Sequence, residues 1–340
     1  MMSAAANAND AAAVYLDAGD YQRATEVLGA ALAHDPGNGP LLARYAQARL
    51  GLRDYGGAAS AAHSALGAMP GNAYIERVYA LALHGLGRRQ EALQLAWRST
   101  AEHPEDPLAF SIYARLLHQA GFDREALPVV NEALRLNPGS ADALVLRGDI
   151  ALRTVNRSAA ESDYHQALRL EPGHAAATHN LAVTRLHWGT LTKALRGFLD
   201  AGRLDPQLGP AVRDGIGAVL IRVLRPATAA VVFLASALVF VGNVQELHHS
   251  TLVPRLFTAA FSLALGAVTV WVVCNVPGPM LVAVLRERLV LALRLLFLVV
   301  ATGIGAVIAV VGAPSSAAVL GPVLLLGMIG LTVLGWLVGQ

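Results

Sequence analysis

The chain has 340 residues, 55% of them hydrophobic, with a formal net charge of +2 and one cysteine, Cys274, which excludes a disulfide framework. Residues 1–212 carry 19 basic and 21 acidic side chains, whereas residues 213–340 carry only 7 basic and 3 acidic ones. The basic excess therefore belongs to the apolar second half, and it does not indicate a nucleic-acid-binding protein.

A repeat runs through the first part of the chain. Six prolines stand 34 residues apart, at Pro36, Pro70, Pro104, Pro138, Pro172 and Pro206. Columns of small residues keep the same spacing, for example Ala24, Ala58, Ala92, Ala126, Ala160 and Ala194. A period of this length is typical of stacked supersecondary units that share one continuous core.

Each repeat is predicted to be a pair of helices. In one repeat the apolar residues fall at helical spacing, at Phe110, Tyr113, Ala114 and Leu117, and after a glycine at Ala126, Leu127, Val130 and Leu134. The proline column is expected to end each second helix, because proline lacks a backbone donor and disfavours a helical conformation in the residue before it.

These residues resemble the tetratricopeptide repeat family, whose pattern is matched by Phe110, Tyr113-Ala114, Ala126, Val130 and Pro138. The resemblance covers six repeats, at about residues 5–38, 39–72, 73–106, 107–140, 141–174 and 175–208. It implies an all-α fold with a solenoid of six helical hairpins over residues 1–208.

A capping helix is predicted after the last repeat, within residues 209–226. Its apolar side chains share one face, at Val212, Ile216, Val219, Leu220 and Val223. A solenoid needs such a cap because its last repeat leaves an apolar flank uncovered. Pro226 is expected to interrupt the helix just before the membrane. The competing interpretation is an interfacial helix that lies among the lipid headgroups.

Four apolar stretches in the second half are long enough to cross a bilayer. They run over about residues 227–244, 256–276, 289–311 and 317–338. Four such stretches in series predict a four-helix transmembrane bundle over residues 227–340. No acidic residue lies deep in a span, which argues against ion-coupled transport by this bundle alone.

The arginines predict the orientation of the spans. The loop between the first and second spans has Arg255 alone. On the other side, Arg213, Arg222 and Arg225 precede the first span, and Arg286 and Arg288 lie between the second and third spans. The positive-inside rule then puts the repeats and both termini in the cytoplasm. Arg294, in the first turns of the third span, is expected to snorkel toward the cytoplasmic surface.

The basic residues also suggest a source. Lys193 is the only lysine, so arginine supplies nearly all the positive charge, as in proteins from GC-rich bacterial genomes. The expected location is therefore a bacterial inner membrane. Residues 1–10 lack the basic and apolar regions of a signal peptide, and we expect none to be cleaved.

No motif for catalysis or cofactor binding stands out. Lys193 is not beside a glycine-rich turn, so no nucleotide-binding loop is predicted, and the zinc-protease and serine-hydrolase motifs are missing. His248 and His249, with Glu246, form a weak metal candidate, because adjacent side chains on a loop diverge. We therefore expect no enzyme, no cofactor and no metal site.

The family resemblance implies that the first helix of each repeat lines a concave groove. The candidate partner-binding residues are then Tyr74, Arg77, His84, Arg115, His118, Arg153 and His179. Three arginines among them would form a basic ladder that suits an acidic or carboxylate-bearing peptide, because guanidinium forks pair bidentately with carboxylates. An ordinary solvated helix face is an equally good interpretation.

Some relatives hold a chaperone's terminal carboxylate with a Lys and Asn clamp. This chain departs from that pattern, because Asn9 and Ala13 occupy the places of the first-repeat clamp residues. Chaperone-tail binding is therefore not expected.

Two functions from different classes remain. The first is a membrane-anchored scaffold that binds a cytosolic protein or peptide and contacts membrane lipids, without binding nucleic acid. The alternative is a docking subunit of a multi-component membrane transport, secretion or envelope-biogenesis complex. An intramembrane enzyme ranks last, because no catalytic constellation supports it.

Overall fold

The computed structural model describes residues 4–187, 190–246, 252–311 and 317–338, and side-chain positions are described for all of these except 4, 242–246, 254 and 317–319. In this part of the chain every regular element is helical. The repeats contribute α1 (Ala4–Asp17), α2 (Tyr21–His34), α3 (Gly39–Gly51), α4 (Tyr55–Ala68), α5 (Ala73–Gly85), α6 (Arg89–Glu102), α7 (Pro107–Ala120), α8 (Asp123–Leu136), α9 (Ala141–Arg153), α10 (Arg157–Leu170), α11 (Ala175–His187) and α12 (Leu191–Leu204). These twelve helices confirm the predicted all-α class with six helical hairpins.

Polar side chains fix where the first helix of each hairpin begins. Asn38, Asn72, Asp106 and Ser140, again 34 residues apart, are the N-caps of α3, α5, α7 and α9, and each accepts a backbone N–H of the first turn. Such caps satisfy backbone donors that have no partner inside the helix. The second helices α2, α4, α6, α8, α10 and α12 each end two residues before a proline, as predicted.

The turn inside each of the first five hairpins passes through positive φ. Glycine holds this position at Gly19, Gly87 and Gly121, with φ of 72°, 78° and 89°. Arg53 and Val155 occupy the same repeat position with φ of 61° and 62°. A β-branched residue is rare in this region because its Cβ crowds the backbone, so Val155 is strained.

Small residues let the helices of a hairpin approach closely. The predicted alanine column is completely buried, at Ala24, Ala58, Ala92, Ala126, Ala160 and Ala194. Gly148 of α9 shows the reason most directly, since a Cβ there would lie 2.6 Å from Cε1 of Tyr164 on α10. The larger ring fills the space that the missing side chain leaves.

The chain forms two compact units, Met1–Pro172 and Gly173–Gln340. The first unit holds the five hairpins from α1 to α10. The second holds the hairpin α11–α12 and the rest of the helices, which follow a short 3₁₀ turn at Pro206–Leu208. They are α13 (Gly209–Glu246), α14 (Leu252–Asn275), α15 (Gly278–Glu287), α16 (Leu289–Val311) and α17 (Ala317–Leu337).

One apolar core runs through the second unit. Phe198 of α12 is fully buried in the same cluster as Val212, Ile216, Val219 and Leu220 of α13, with Val223 partly buried against it. The cluster continues along α13 and reaches α14, α16 and α17. The sixth hairpin and the apolar helices therefore share a core.

Pro226 does not interrupt α13, contrary to expectation, because the helix runs unbroken from Gly209 to Glu246. A proline inside a helix costs about 3 kcal/mol, because it removes one hydrogen bond and its ring crowds the carbonyl group four residues earlier. The buried face continues on both sides of the exposed Pro226, through Leu224 and Ala227 to Val231. Burial of these side chains offsets the lost hydrogen bond.

Four helices are long and apolar enough to cross a membrane. The segments that meet this description are Pro206–Val241, Arg255–Asn275, Leu289–Val311 and Leu320–Leu337. The last three segments lie within a few residues of the predicted apolar stretches. The first segment belongs to α13, a longer helix than predicted. Residues 247–251, which include His248 and His249, lie outside the described residues. So do residues 312–316, the predicted third loop.

Arg294 lies in the interior of the second unit, which differs from the predicted snorkelling. Only 3% of its surface is exposed. The reason is its place on α16, since Leu291, Leu298 and Ala301 lie on the same buried stripe at helical spacing. The side chain therefore projects toward neighbouring helices of the unit instead of outward.

Candidate peptide-binding groove

The candidate groove residues of the first unit lie on the first helices of three successive hairpins. Tyr74, Arg77 and His84 lie on α5, and Arg115 and His118 on α7. Arg153 is the last residue of α9. The sixth-hairpin candidate, His179 of α11, belongs to the second unit.

Tyr74 links the second and third repeats. Its hydroxyl donates a hydrogen bond of 2.5 Å to Oε1 of Gln47 on α3. Burial raises the pKa of the Tyr74 phenol, and the nearby charges of Arg44 and Arg77 partly oppose that rise. The phenol therefore stays neutral at physiological pH and acts as a hydrogen-bond donor.

Arg77 is engaged within the protein. Its guanidinium forms an ion pair with Asp106, whose other carboxylate oxygen accepts the backbone N–H of Leu108 at 2.9 Å. Only 16% of the Arg77 side chain is exposed. Asp106 thus caps α7 and binds α5 at once, so Arg77 contributes to the joint between repeats three and four.

Arg153 and His118 meet at a single carboxylate. Nε of Arg153 lies 3.0 Å from Oδ2 of Asp123, and Nδ1 of His118 lies 2.5 Å from Oδ1 of the same residue. Arg153 also donates to the carbonyl oxygen of His118 at 3.1 Å. The structure therefore brings these two candidates together, but as a joint between repeats four and five.

Arg115 differs from the other two arginines. It is half-buried on α7, and among the described residues it has no hydrogen bond or ion pair. Of the predicted basic ladder, this guanidinium is the one whose donors are available to an added carboxylate.

The two remaining histidines are partly buried. Burial, together with the nearby charge of Arg89, lowers the pKa of His84. In the second unit His179 packs against Phe198, with ring centroids 5.3 Å apart, and burial lowers its pKa. Both imidazoles are therefore neutral at physiological pH, and they offer hydrogen bonding and ring contact instead of charge.

The sequence analysis missed the carboxylates that neutralise this surface. Asp106 is the N-cap of α7 and Asp123 is the first residue of α8, and acidic residues at a helix start are readable from sequence. Their second role, as partners of arginines from other helices, depends on how the hairpins pack. What the arrangement offers chemically is one available arginine, Arg115, on α7, and neutral hydrogen-bonding side chains on α5.

Comparisons with known proteins agree with this architecture. Two family models, both described as Tetratricopeptide repeat, match residues 10–138 and 146–208 and together cover more than half of the chain. No curated protein matches the chain.

Several solved structures are similar to this chain in fold at low sequence identity. The Cut9–Hcn1 hetero-tetramer of the APC/C is similar with a TM-score of 0.56 and 18% identity, over 63% of this chain and 42% of that chain. This chain thus spans less than half of that relative's length. Yeast Tom70 has a TM-score of 0.49 and 19% identity, over 60% of this chain and 44% of its own. Pseudomonas aeruginosa pilF has a TM-score of 0.47 and 20% identity, over 60% and 92%.

The proline and alanine columns, the capped hairpins and the two family matches all lead to one assignment. This chain belongs to the tetratricopeptide repeat proteins.

Proposed function

We propose that this protein is a membrane-anchored adaptor that binds a cytosolic protein or peptide through its repeats and holds it at a bacterial inner membrane. Tetratricopeptide repeat domains bind protein or peptide partners. The observation that carries the proposal is the shared core of the second unit, in which the sixth hairpin and the apolar helices pack as one body. A repeat joined in this way to membrane-crossing helices holds its partner close to the bilayer.

The distribution of arginines supports a cytoplasmic position for the repeats. Arg213 pairs with Glu287 at 2.7 Å and Arg288 with Asp214 at 2.9 Å, so α15 is attached to the start of α13. Arg255 instead donates to the carbonyl oxygen of Ala309 at 3.0 Å, near the other end of α16. A helix of that length spans about 34 Å. The arginine-rich end then faces the cytoplasm by the positive-inside rule.

The chemistry of the groove supports a partner with a carboxylate. Arg115 of α7 supplies an available guanidinium, and Tyr74 and His84 supply neutral hydrogen-bonding groups on α5. A carboxylate side chain or chain terminus would pair with the arginine fork. The proposed role is to bind and to position, as in repeat scaffolds generally, without a chemical step.

A topology experiment tests the membrane part of the proposal. A reporter that is active only in the cytoplasm is fused after Gln340 in one strain and inserted near Arg286 in another. Activity is expected at both sites, together with recovery of the protein in the membrane fraction. An external signal at either site would contradict four spans with both ends inside.

A docking subunit of a larger transport, secretion or envelope-biogenesis complex is the second candidate. An apolar cleft of about 640 Å³ lies between α14 and α16, lined by small residues that include Ser262, Gly266 and Ala306. Oγ1 of Thr302, also in its lining, is buried without a hydrogen-bond partner among the described residues. A transmembrane helix of another subunit fits such a cleft, because small residues allow close approach and hydroxyls bond across helices.

Co-purification separates the two candidates. If the cleft holds another subunit, full-length protein should retain it at fixed stoichiometry, and Gly266→Leu should release it. Gly330→Leu is the matched control, because a side chain at Gly330 meets open space. An adaptor that acts alone would purify without membrane subunits, and neither leucine would change its composition.

A further inference from the structure

Glu76 is a buried carboxylate at a position that four of the other five repeats fill with an apolar side chain. The corresponding residues 34 positions away in either direction are Leu42 and Phe110, followed by Leu144. The Glu76 side chain is only 5% exposed. Its Oε2 atom is buried without a hydrogen-bond partner among the described residues. A charged oxygen in this position needs a positive partner, because burial removes the water that would solvate it.

His103 faces this carboxylate from the end of α6. It is the C-cap of that helix, and its backbone N–H donates to the carbonyl oxygen of Ser99 at 2.9 Å. Its Nε2 atom lies 3.6 Å from Oε2 of Glu76 and is likewise buried without a hydrogen-bond partner among the described residues. A hydrogen bond is shorter than this separation. Two ligand atoms thus face one another across a gap that suits a cation.

Glu102 supplies a third ligand atom from the surface side. One oxygen of its carboxylate lies within 4.8 Å of the Glu76 and His103 ligand atoms. Its other contact is an ion pair of 3.6 Å with Arg98, in which both side chains are well exposed. Exposed pairs of this kind are weak, so Glu102 can turn toward a cation at little cost.

The spacing suits a transition-metal ion. Zinc bonds of about 2.0–2.2 Å place the ligand atoms of a tetrahedral site roughly 3.3–3.6 Å apart. The Glu76 and His103 atoms already have this separation. One imidazole with two carboxylates is a ligand set for zinc and similar divalent ions, whereas magnesium and calcium prefer oxygen ligands alone.

The surrounding turn is already fixed in place. Arg77, the neighbour of Glu76 in α5, pairs with Asp106, and the backbone N–H of Asp106 donates to the carbonyl oxygen of His103 at 3.1 Å. Two adjacent residues of α5 therefore contact both ends of the turn between α6 and α7. The two buried ligands are held in position before any ion arrives.

We propose that Glu76, His103 and Glu102 bind one divalent transition-metal ion, with a coordination position left to solvent. The ion joins the first turn of α5 to the end of α6 and stabilises the third hairpin. No other repeat has a carboxylate at the position of Glu76, where the residues are Ala8, Leu42, Phe110, Leu144 and Thr178, so this set of three ligands belongs to repeat three.

The test uses full-length protein in detergent micelles, purified without a polyhistidine tag and stripped of metal with a chelator. In this protein His248 and His249 are both replaced by Ala, so that these two adjacent histidines cannot bind the added metal. Zinc and cobalt are titrated by calorimetry, with magnesium as the control ion. One equivalent of zinc or cobalt is expected to bind, with visible absorption typical of low-coordinate cobalt and a raised melting temperature.

Glu76→Gln and His103→Gln should each weaken zinc binding more than about 100-fold, since loss of a ligand exceeds the 10–100-fold effect of losing an outer partner. Glu102→Gln changes an exposed residue, so it keeps the test informative if the buried variants unfold, and it should weaken binding at least about tenfold. His34→Gln, at an exposed histidine near the end of α2, should change nothing. Absence of zinc binding, or binding unchanged by all three ligand variants, would overturn the proposal.

Discussion

The carboxylate of Asp123 binds the guanidinium of Arg153, with Oδ2 and Nε 3.0 Å apart, and thereby ties repeat five to repeat four. The same carboxylate binds His118, so two side chains predicted to face a ligand also hold the repeats together. Arg77 likewise holds two repeats together, through its ion pair with Asp106. This arrangement separates the three arginines by role: two stabilise joints between repeats, and Arg115 is available to a partner.

That division predicts opposite effects for two similar substitutions. Arg153→Ala should lower stability by about 1 kcal/mol, because it removes an ion pair between repeats that is partly shielded from water. Arg115→Ala should leave the melting temperature unchanged and weaken partner capture, measured by pull-down from a lysate with quantitative mass spectrometry. Arg124→Ala, at an exposed residue of α8, is the control for loss of charge. Equal effects of all three changes on capture would contradict the assignment.

Replacing Val155 by glycine should stabilise the protein. Val155 has a φ of 62°, where a β-branched residue is strained by about 1–2 kcal/mol, and its side chain is 89% exposed. Glycine also raises the conformational entropy of the unfolded chain, which offsets part of the relieved strain. The free energy of unfolding is therefore expected to increase by about 1 kcal/mol. Thermal unfolding followed by circular dichroism measures it.

Gly121→Val is the matched reverse change, because Gly121 holds the equivalent position of repeat four with a φ of 89°. It should destabilise the protein by a similar amount. A lower melting temperature for Val155→Gly would show that the valine contributes contacts that outweigh its strain.

The core of the second unit is expected to depend on Gly215. A Cβ at this position would lie 2.5 Å from Cε1 of Phe198, so a larger residue forces α13 away from α12. Gly215→Val should cost about 1–3 kcal/mol and expose the α12–α13 joint to limited proteolysis. Gly303→Ala, where a side chain meets open space, is the control in the same unit. Protection from protease in both variants would contradict the predicted dependence of this joint on Gly215.

His179 is predicted to make stability depend on pH. Burial lowers its pKa in the folded state below the ordinary value of about 6.5, so the unfolded chain binds the proton more readily. The contribution of the neutral His179 ring to the stability of the fold is therefore complete above about pH 6.5, and it is lost as the pH falls toward the folded-state pKa. His84 acts in the same direction.

Melting temperatures between pH 5 and pH 8 test this prediction. His179→Gln should flatten the decline on the acidic side, whereas His165→Gln, at an exposed histidine of α10, should leave the profile as it is. An unchanged slope in His179→Gln would mean that the buried ring does not resist protonation.

The periodic features of the fold were predictable, because each repeat meets the same local demands. Pro138 ends α8 and Ala126 lies at a helix crossing for reasons that belong to one hairpin, and both are visible in the sequence. Val155 was detectable in the same way, since it breaks a column of glycines.

Features that depend on packing between elements were not predictable. Asp123 pairs with Arg153 from the next hairpin, and only the relation between the two hairpins reveals the ion pair. Pro226 looked like a helix end because local propensity favours one, but the buried face of α13 overrides it. Glu76, by contrast, is detectable from the sequence, because a charge stands out in a column that is otherwise largely apolar.

Site-specific crosslinking in living cells tests the central claim most directly. A photoreactive amino acid replaces Leu81 of α5, which lies three residues before the candidate His84 and therefore on the same helix face, and in a separate strain Gln94, an exposed residue of α6. After irradiation, the Leu81 variant should yield a discrete protein adduct in the membrane fraction that Arg115→Ala reduces, and the Gln94 variant should not. No adduct from Leu81, or the same adduct from both positions, would contradict capture of a partner in the groove.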